Sequence, residues 1–214
     1  MKNNPKTDRR IKRSKIALKK SLFSLMEEKD LKSISITEIT ERADCNRGTF
    51  YSHYESKENL LEEIVQEKME DLIKALVDSY PNDKDILFEE MSSAAMALFT
   101  HFWNNVYYYQ LMLNKHVYSG FQEYLCETIN NHFLKNLRAV RINPNHHINH
   151  EINSYYTAYS ILGMLVYWFK NDLVYTPQYM ANQLMNILTN HPYKVNMIGS
   201  EKDTLVIQKI NHHI

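Results

Sequence analysis

The sequence predicts an all-α protein, and three observations carry that prediction. Glycine and proline number 4 and 5 in 214 residues, too few for the many tight turns of an all-β fold. Apolar residues recur at three- and four-residue spacing along most of the chain. Strand-type alternation of apolar and polar residues is hard to find. Within that class the pattern divides into a basic N-terminal helical domain over 8–68, a second helical domain over 75–190, and a polar tail over 191–214.

Residues 1–8 read as a disordered arm. A first helix follows over 9–29, with Ile11, Leu18, Leu22, Leu25 and Met26 on one side. Arg9, Arg10, Lys12, Arg13, Lys15, Lys19 and Lys20 crowd its N-terminal half. Cations there oppose the helix dipole, so they suit an external anion better than the isolated helix. A connector over 30–34 leads to Ser35, which with Glu38 makes a capping box at a helix start. Ile36, Ile39 and Ala43 give that helix one narrow apolar side. Asp44, Cys45 and Asn46 break the pattern, and Asp and Asn tolerate the left-handed backbone a turn requires. Asn46 caps a second short helix, Arg47 to His53, with Phe50 and Tyr54 as core anchors. Arg47, Gly48, Thr49, Tyr51, Ser52 and His53 form its outer face, all small, basic or hydrogen-bonding. A short helix with such a face, held by a capped partner, is a helix-turn-helix reading head.

Ser56 caps a long helix from Lys57 to about Ser79, roughly 35 Å at 1.5 Å per residue. Its apolar positions are Leu60, Leu61, Ile64, Val65, Leu72, Ile73, Leu76 and Val77, and Pro81 ends it. Further helices are expected over 83–105, 107–113, 118–138, 151–169 and 177–190, with a polar loop over 141–150. Pro177 sits in the first turn of the last helix.

The stretch from Ser35 to Leu61 resembles the DNA-binding domain of TetR-type transcriptional regulators. Matching marks are Ser35, Glu38, Ile39, Ala43, Arg47-Gly48-Thr49-Phe50-Tyr51, His53-Tyr54, Lys57 and Leu60-Leu61. Thr40 and Asp44 depart from the pattern, standing where Ala and Gly are common. The segment from Tyr155 to Lys170, marked by Gly163 and Trp168, is similar to the C-terminal domain of a subgroup that includes regulators and coactivators of dihydroxyacetone utilisation. The resemblance implies that the start of the first helix touches the DNA backbone and that Tyr51 and His53 hold it too.

Arg47 pairs with guanine or holds a phosphate. Thr49 and Ser52 reach base edges or phosphates. Lys57, in the first turn of its helix, is expected to hold a phosphate together with free backbone N–H groups. Ser35, Thr37, Asn46 and Gly48 complete the expected DNA-binding set. Phe102, Tyr109, Met112, Tyr124, Tyr156, Met164 and Trp168 are the candidate lining of an effector pocket in the second domain: plain core packing is the stronger reading for any single one, and the resemblance implies that some subset surrounds an effector.

Charge agrees with this division. Residues 1–60 hold 14 Lys or Arg against 9 Asp or Glu, a net of +5, and the remainder holds 11 against 16, a net of −5. The basic half is the half with the reading head. Two cysteines, Cys45 and Cys126, make no disulfide framework, and neither has a base pattern for nucleophilic catalysis. His146, His147 and His150 read as a solvated loop rather than a metal site. No Gly-rich phosphate loop, G-x-S-x-G or H-E-x-x-H motif occurs, so an enzyme is not expected, and neither is a cofactor. With no secretory signal and no apolar run long enough to span a bilayer, a cytoplasmic protein without a membrane partner is expected. The expected partners are a palindromic DNA duplex, a second copy of the chain and a small-molecule effector. The rival expectation is a DNA-bound coactivator whose C-terminal half binds another protein.

Overall fold

The computed structural model describes residues 5–80, 91–113, 118, 120–136 and 149–189. Among them are nine α-helices, one 3-10 turn and no strand, the all-α class the sequence predicts. The helices are α1 (Pro5–Glu28), α2 (Ile36–Arg42), α3 (Arg47–Tyr51), α4 (Lys57–Asp78), α5 (Ser92–Asn104), α6 (Val106–Met112), α7 (Phe121–Asn136), α8 (His150–Lys170) and α9 (Pro177–Thr189). The 3-10 turn, Leu31–Ser33, joins α1 to α2.

Several boundaries differ from the sequence reading: the helix expected over 118–138 begins at Phe121, after Gly120 at φ +95°, and three others differ for a local reason. The expected arm is already helical from Pro5. Proline costs nothing in a first turn, because its missing N–H would have no helical partner and its φ is preset. α3 stops at Tyr51, two residues early. The N–H groups of His53 and Tyr54 both bond to the Phe50 carbonyl at 2.9 Å, which tightens the chain into a turn. His150, read as loop, opens α8: the Asn149 side chain accepts from the N–H groups of Glu151 and Ile152 at 2.8 and 3.1 Å. The expected helix over 83–105 is described only from Ser92 onward. The rest of the 141–150 loop, including His146 and His147, and the 191–214 tail lie outside the described residues.

α1 packs on both α2 and α4, and α3 packs on α2, with Leu18, Leu22, Ile39, Phe50, Leu60 and Leu61 buried in the shared core. α5 packs on α9, α7 packs on α8, and α4 reaches both α5 and α7. Met69, Leu72 and Leu76 along α4 are buried, so the apolar core continues from the basic domain into the second. No described helix is long and apolar enough to cross a membrane.

Candidate nucleic-acid interface

The reading head is assembled by caps. Ser35 Oγ accepts from the Glu38 N–H at 3.2 Å, and Glu38 Oε2 accepts from the Ser35 N–H at 2.9 Å. Lys29 donates to the same carboxylate, and with Ser35 it holds Glu38 down at about 2. Thr40 is buried, but its hydroxyl donates to the Thr37 carbonyl at 2.9 Å, so the polar group that replaces the usual alanine is satisfied. Asp44 takes φ +50°, the left-handed turn conformation that favours glycine and that Asp tolerates.

Asn46 Oδ1 then accepts from the Thr49 N–H at 2.8 Å and from the Thr49 hydroxyl at 3.1 Å. A Cβ on Gly48 would sit 3.2 Å from that oxygen, so glycine leaves the cap undisturbed. Phe50 points inward and is fully buried. Asn46, Arg47, Gly48, Tyr51 and Ser52 are exposed together, with Thr37 and Thr49 half-buried beside them. Arg47 donates across the turn to the Thr37 hydroxyl, bringing two of the expected contact residues into one unit. An open groove of about 640 Å³ separates this unit from α1, with Arg10, Arg13 and Ser14 on one wall and Asp44, Asn46 and Thr49 on the other.

The basic half of α1 divides into two groups. Lys15 and Lys19 turn inward to α4: Lys15 reaches Glu63 at 2.8 Å, and Lys19 reaches Glu63 and Glu67 at 2.6 Å each. Burial opposes the Lys19 charge, but the two carboxylates win and raise its ammonium above the ordinary value. Arg9, Arg10, Lys12 and Arg13 stay exposed, with no ion pair among the described residues. The neighbouring α1 arginines and the Arg47 unit can together present positive charge to phosphates on one duplex.

Two expected contacts turn inward. Lys57 Nζ donates to three backbone carbonyls, Leu31 at 2.7 Å, Lys32 at 3.1 Å and Ile34 at 2.6 Å. All three ammonium donors are thereby used to fasten α4 to the connector. His53 Nε2 lies 2.8 Å from Ser14 Oγ on α1. Burial, then Lys15, lowers its imidazole below the ordinary value, with Glu63 opposing. Ser14 was missing from the sequence reading. The signal was faint, one hydroxyl within the run Arg13-Ser14-Lys15.

The candidate effector residues divide between the core and the surface. Phe102, Tyr109, Met112 and Trp168 are fully buried, and the rings of Phe102 and Tyr109 stand 4.1 Å apart. His101 Nε2 pairs with the Tyr109 hydroxyl at 2.9 Å inside this packing. Met164 is half-buried against the core. Tyr124 and Tyr156 are 41% and 61% exposed, on the outer surfaces of α7 and α8. Tyr156 borders an open apolar groove of about 760 Å³ with Ile152, Tyr155 and Tyr159.

A capped helix-turn-helix on a basic face, fused to a helical domain, defines a DNA-binding transcriptional regulator, and both halves of the chain match known regulators. Residues 21–64 match the tetR family of bacterial regulatory proteins, and residues 89–190 match a transcriptional regulator C-terminal region named for the same family. The chain belongs to the TetR family. It is 24% identical over 172 residues to the HTH-type transcriptional regulator YxbF of Bacillus subtilis, covering 80% of this chain and 44% of that protein. The chain thus spans less than half of that relative's length. A TetR regulator from Streptococcus agalactiae shares the fold with a TM-score of 0.64 at 21% identity, over 88% of this chain and all of that one. The dihydroxyacetone kinase operon activator DhaS does so with a TM-score of 0.56 at 16% identity, over 82% of this chain and 93% of that one. A TetR-family regulator from Syntrophomonas wolfei gives 0.62 at 17% identity, over 88% and 99% of the two chains.

Proposed function

We propose that the protein is a homodimeric repressor that binds a palindromic operator and is released by a small effector in its C-terminal domain. The supporting observation is the outer face of α8. Ile152, Tyr155, Tyr156, Tyr159 and Tyr167 are each at least 40% exposed on it. A contiguous apolar face of this kind calls for a partner surface. A second copy meeting α8 and α9 about a two-fold axis would cover it and form a four-helix interface. Two reading heads could then enter successive major grooves, about 34–36 Å apart. Ser35, Thr37, Asn46, Arg47, Gly48, Thr49, Tyr51 and Ser52 are the proposed DNA-facing set, joined by Arg10 and Arg13. At the α4 start, the phosphate role falls to backbone N–H groups rather than to the Lys57 ammonium.

Effector release requires the packed rings of Phe102, Tyr109 and Trp168 to part, with the His101–Tyr109 pair as the polar handle. That packing favours a second reading, in which the C-terminal half recruits a partner protein while the heads hold DNA. Light scattering, gel shift on a selected duplex and thermal-shift screening with small apolar compounds test the proposal together. A monomer that binds only half-sites would overturn the dimer. No compound-induced stabilisation, together with specific capture of one host protein, would favour recruitment.

A further inference from the structure

We propose that His53 is a positioning residue for DNA binding: through Ser14 it fixes the reading helix α3 against the exposed arginines of α1. This rests on the DNA-binding reading of the head and assigns His53 a role other than touching the duplex. Proton accounting supports it. Ser14 Oγ lies 2.9 Å from the Ile11 carbonyl and 3.2 Å from the Arg10 carbonyl. The hydroxyl has one proton, and a carbonyl can only accept it. With that proton on a carbonyl, the remaining bond is satisfied when His53 Nε2–H donates to Ser14 Oγ, 2.8 Å away. Nε2 is then spent on α1 and has no proton for a phosphate.

The neighbouring contacts extend the clamp. Lys15, next to Ser14, lies 5.2 Å over the ring of Tyr54, which is next to His53. Tyr54 OH donates to Glu63 Oε1 on α4 at 3.2 Å, and Lys15 reaches the other oxygen of that carboxylate at 2.8 Å. Two successive residues of α1 therefore grip the two residues that close the α3 turn. α3 has five residues, too short to hold its own orientation, and Phe50 is its buried side chain. Arg10 and Arg13 sit within a turn of Ser14 on the same groove. Fixing Ser14 to His53 sets the distance between these arginines and Arg47, so that both reach the same duplex. The charged and titratable groups facing the imidazole are Lys15 of α1 and Glu63 of α4, with the Tyr54 ring beside it. Burial and Lys15 push the imidazole below its ordinary value, and the neutral Nε2–H tautomer and the imidazolium alike can donate to Ser14, so the clamp does not depend on the charge.

The experiment uses the full chain and a duplex selected from a random pool by the wild-type protein. Affinity and thermal unfolding are measured for wild type, Ser14→Ala, His53→Ala, His53→Gln and the Ser14→Ala/His53→Ala double variant. Each alanine variant should bind about five- to tenfold more weakly, the worth of one lost hydrogen bond. The double variant should be no weaker than either single one. His53→Gln should restore binding, because its amide N–H replaces the imidazole donor. The wild-type to His53→Gln affinity ratio should stay flat from pH 8 to 6. Overturning results are Ser14→Ala binding like wild type while His53→Ala fails, fully additive losses, or a ratio that climbs as pH falls through about 6.5, as an imidazolium–phosphate contact requires. If His53→Ala does not fold, Ser14→Ala and His53→Gln still decide. A wild-type chain that retained no duplex from the pool would overturn the DNA-binding reading itself.

Discussion

Lys57 illustrates how one residue can satisfy a sequence motif and spend its charge elsewhere. Its ammonium meets the carbonyls of Leu31, Lys32 and Ile34, of which Leu31 also accepts the Ile34 N–H at 3.1 Å within the 3-10 turn. Lys57→Met should remove the ammonium donor from the Lys32 and Ile34 carbonyls, leave Leu31 with its backbone bond alone, and cost about 1–3 kcal/mol of stability, measured by urea unfolding. The salt dependence of DNA binding should change little, which separates this role from a phosphate contact. His101 gives a pH prediction. Burial, then Lys68, pushes its imidazole down to about 4, with Asp71 opposing. An unfolded histidine titrates near 6.5, so between about 6.5 and 4 the unfolded chain binds more protons. Stability from this site is therefore complete above pH 6.5 and lost as pH falls towards 4. The melting temperature should drop across that window by calorimetry, and His101→Gln should drop less steeply.

At the scale of elements, α3 and the aromatic core are held by opposite means. α3 depends on its cap and one anchor. Asn46→Ala removes the acceptor for two Thr49 donors and should cost about 1 kcal/mol. It should also weaken DNA binding, read by gel shift, since the cap orients the outer face. The α5–α6–α8 core depends on packed rings: Trp168 stands edge-on to Phe99 at 5.6 Å and donates its Nε1–H to the Tyr175 carbonyl at 2.9 Å. Phe102→Ala should cost about 3–5 kcal/mol in a chemical denaturation series, because neighbouring rings collapse poorly into the space. A much smaller cost would indicate a loose core able to admit a ligand.

For the whole molecule, Gly163 provides a clean test of assembly. A Cβ there would meet nothing within 4 Å in its own chain, and the position lies exposed on the tyrosine-lined side of α8. Gly163→Arg should therefore leave the protomer folded by circular dichroism while halving the mass seen by light scattering. Affinity for a palindrome should fall far more than affinity for a half-site. An intact dimer would move the interface off this face.

Among the described residues, the order of the helices and the caps at Ser35, Asn46 and Ser56 were legible in the sequence because they rest on contacts within about four residues. Ser35 with Glu38, Asn46, Ser56 and the apolar spacing of α4 are all local. The family was legible for the same reason, since its marks occupy one continuous stretch. The destination of long polar side chains was not. Lys57 reaches back 26 residues to Leu31, His53 reaches 39 to Ser14, and Lys15 reaches 48 to Glu63. Nor could composition divide the aromatics, because Tyr109 and Tyr156 are the same residue on similar helices. One is sealed among rings of α5, α7 and α8 and the other faces outward. Periodicity fixes which residues share a helix face, whereas only packing decides which face is covered, and by what.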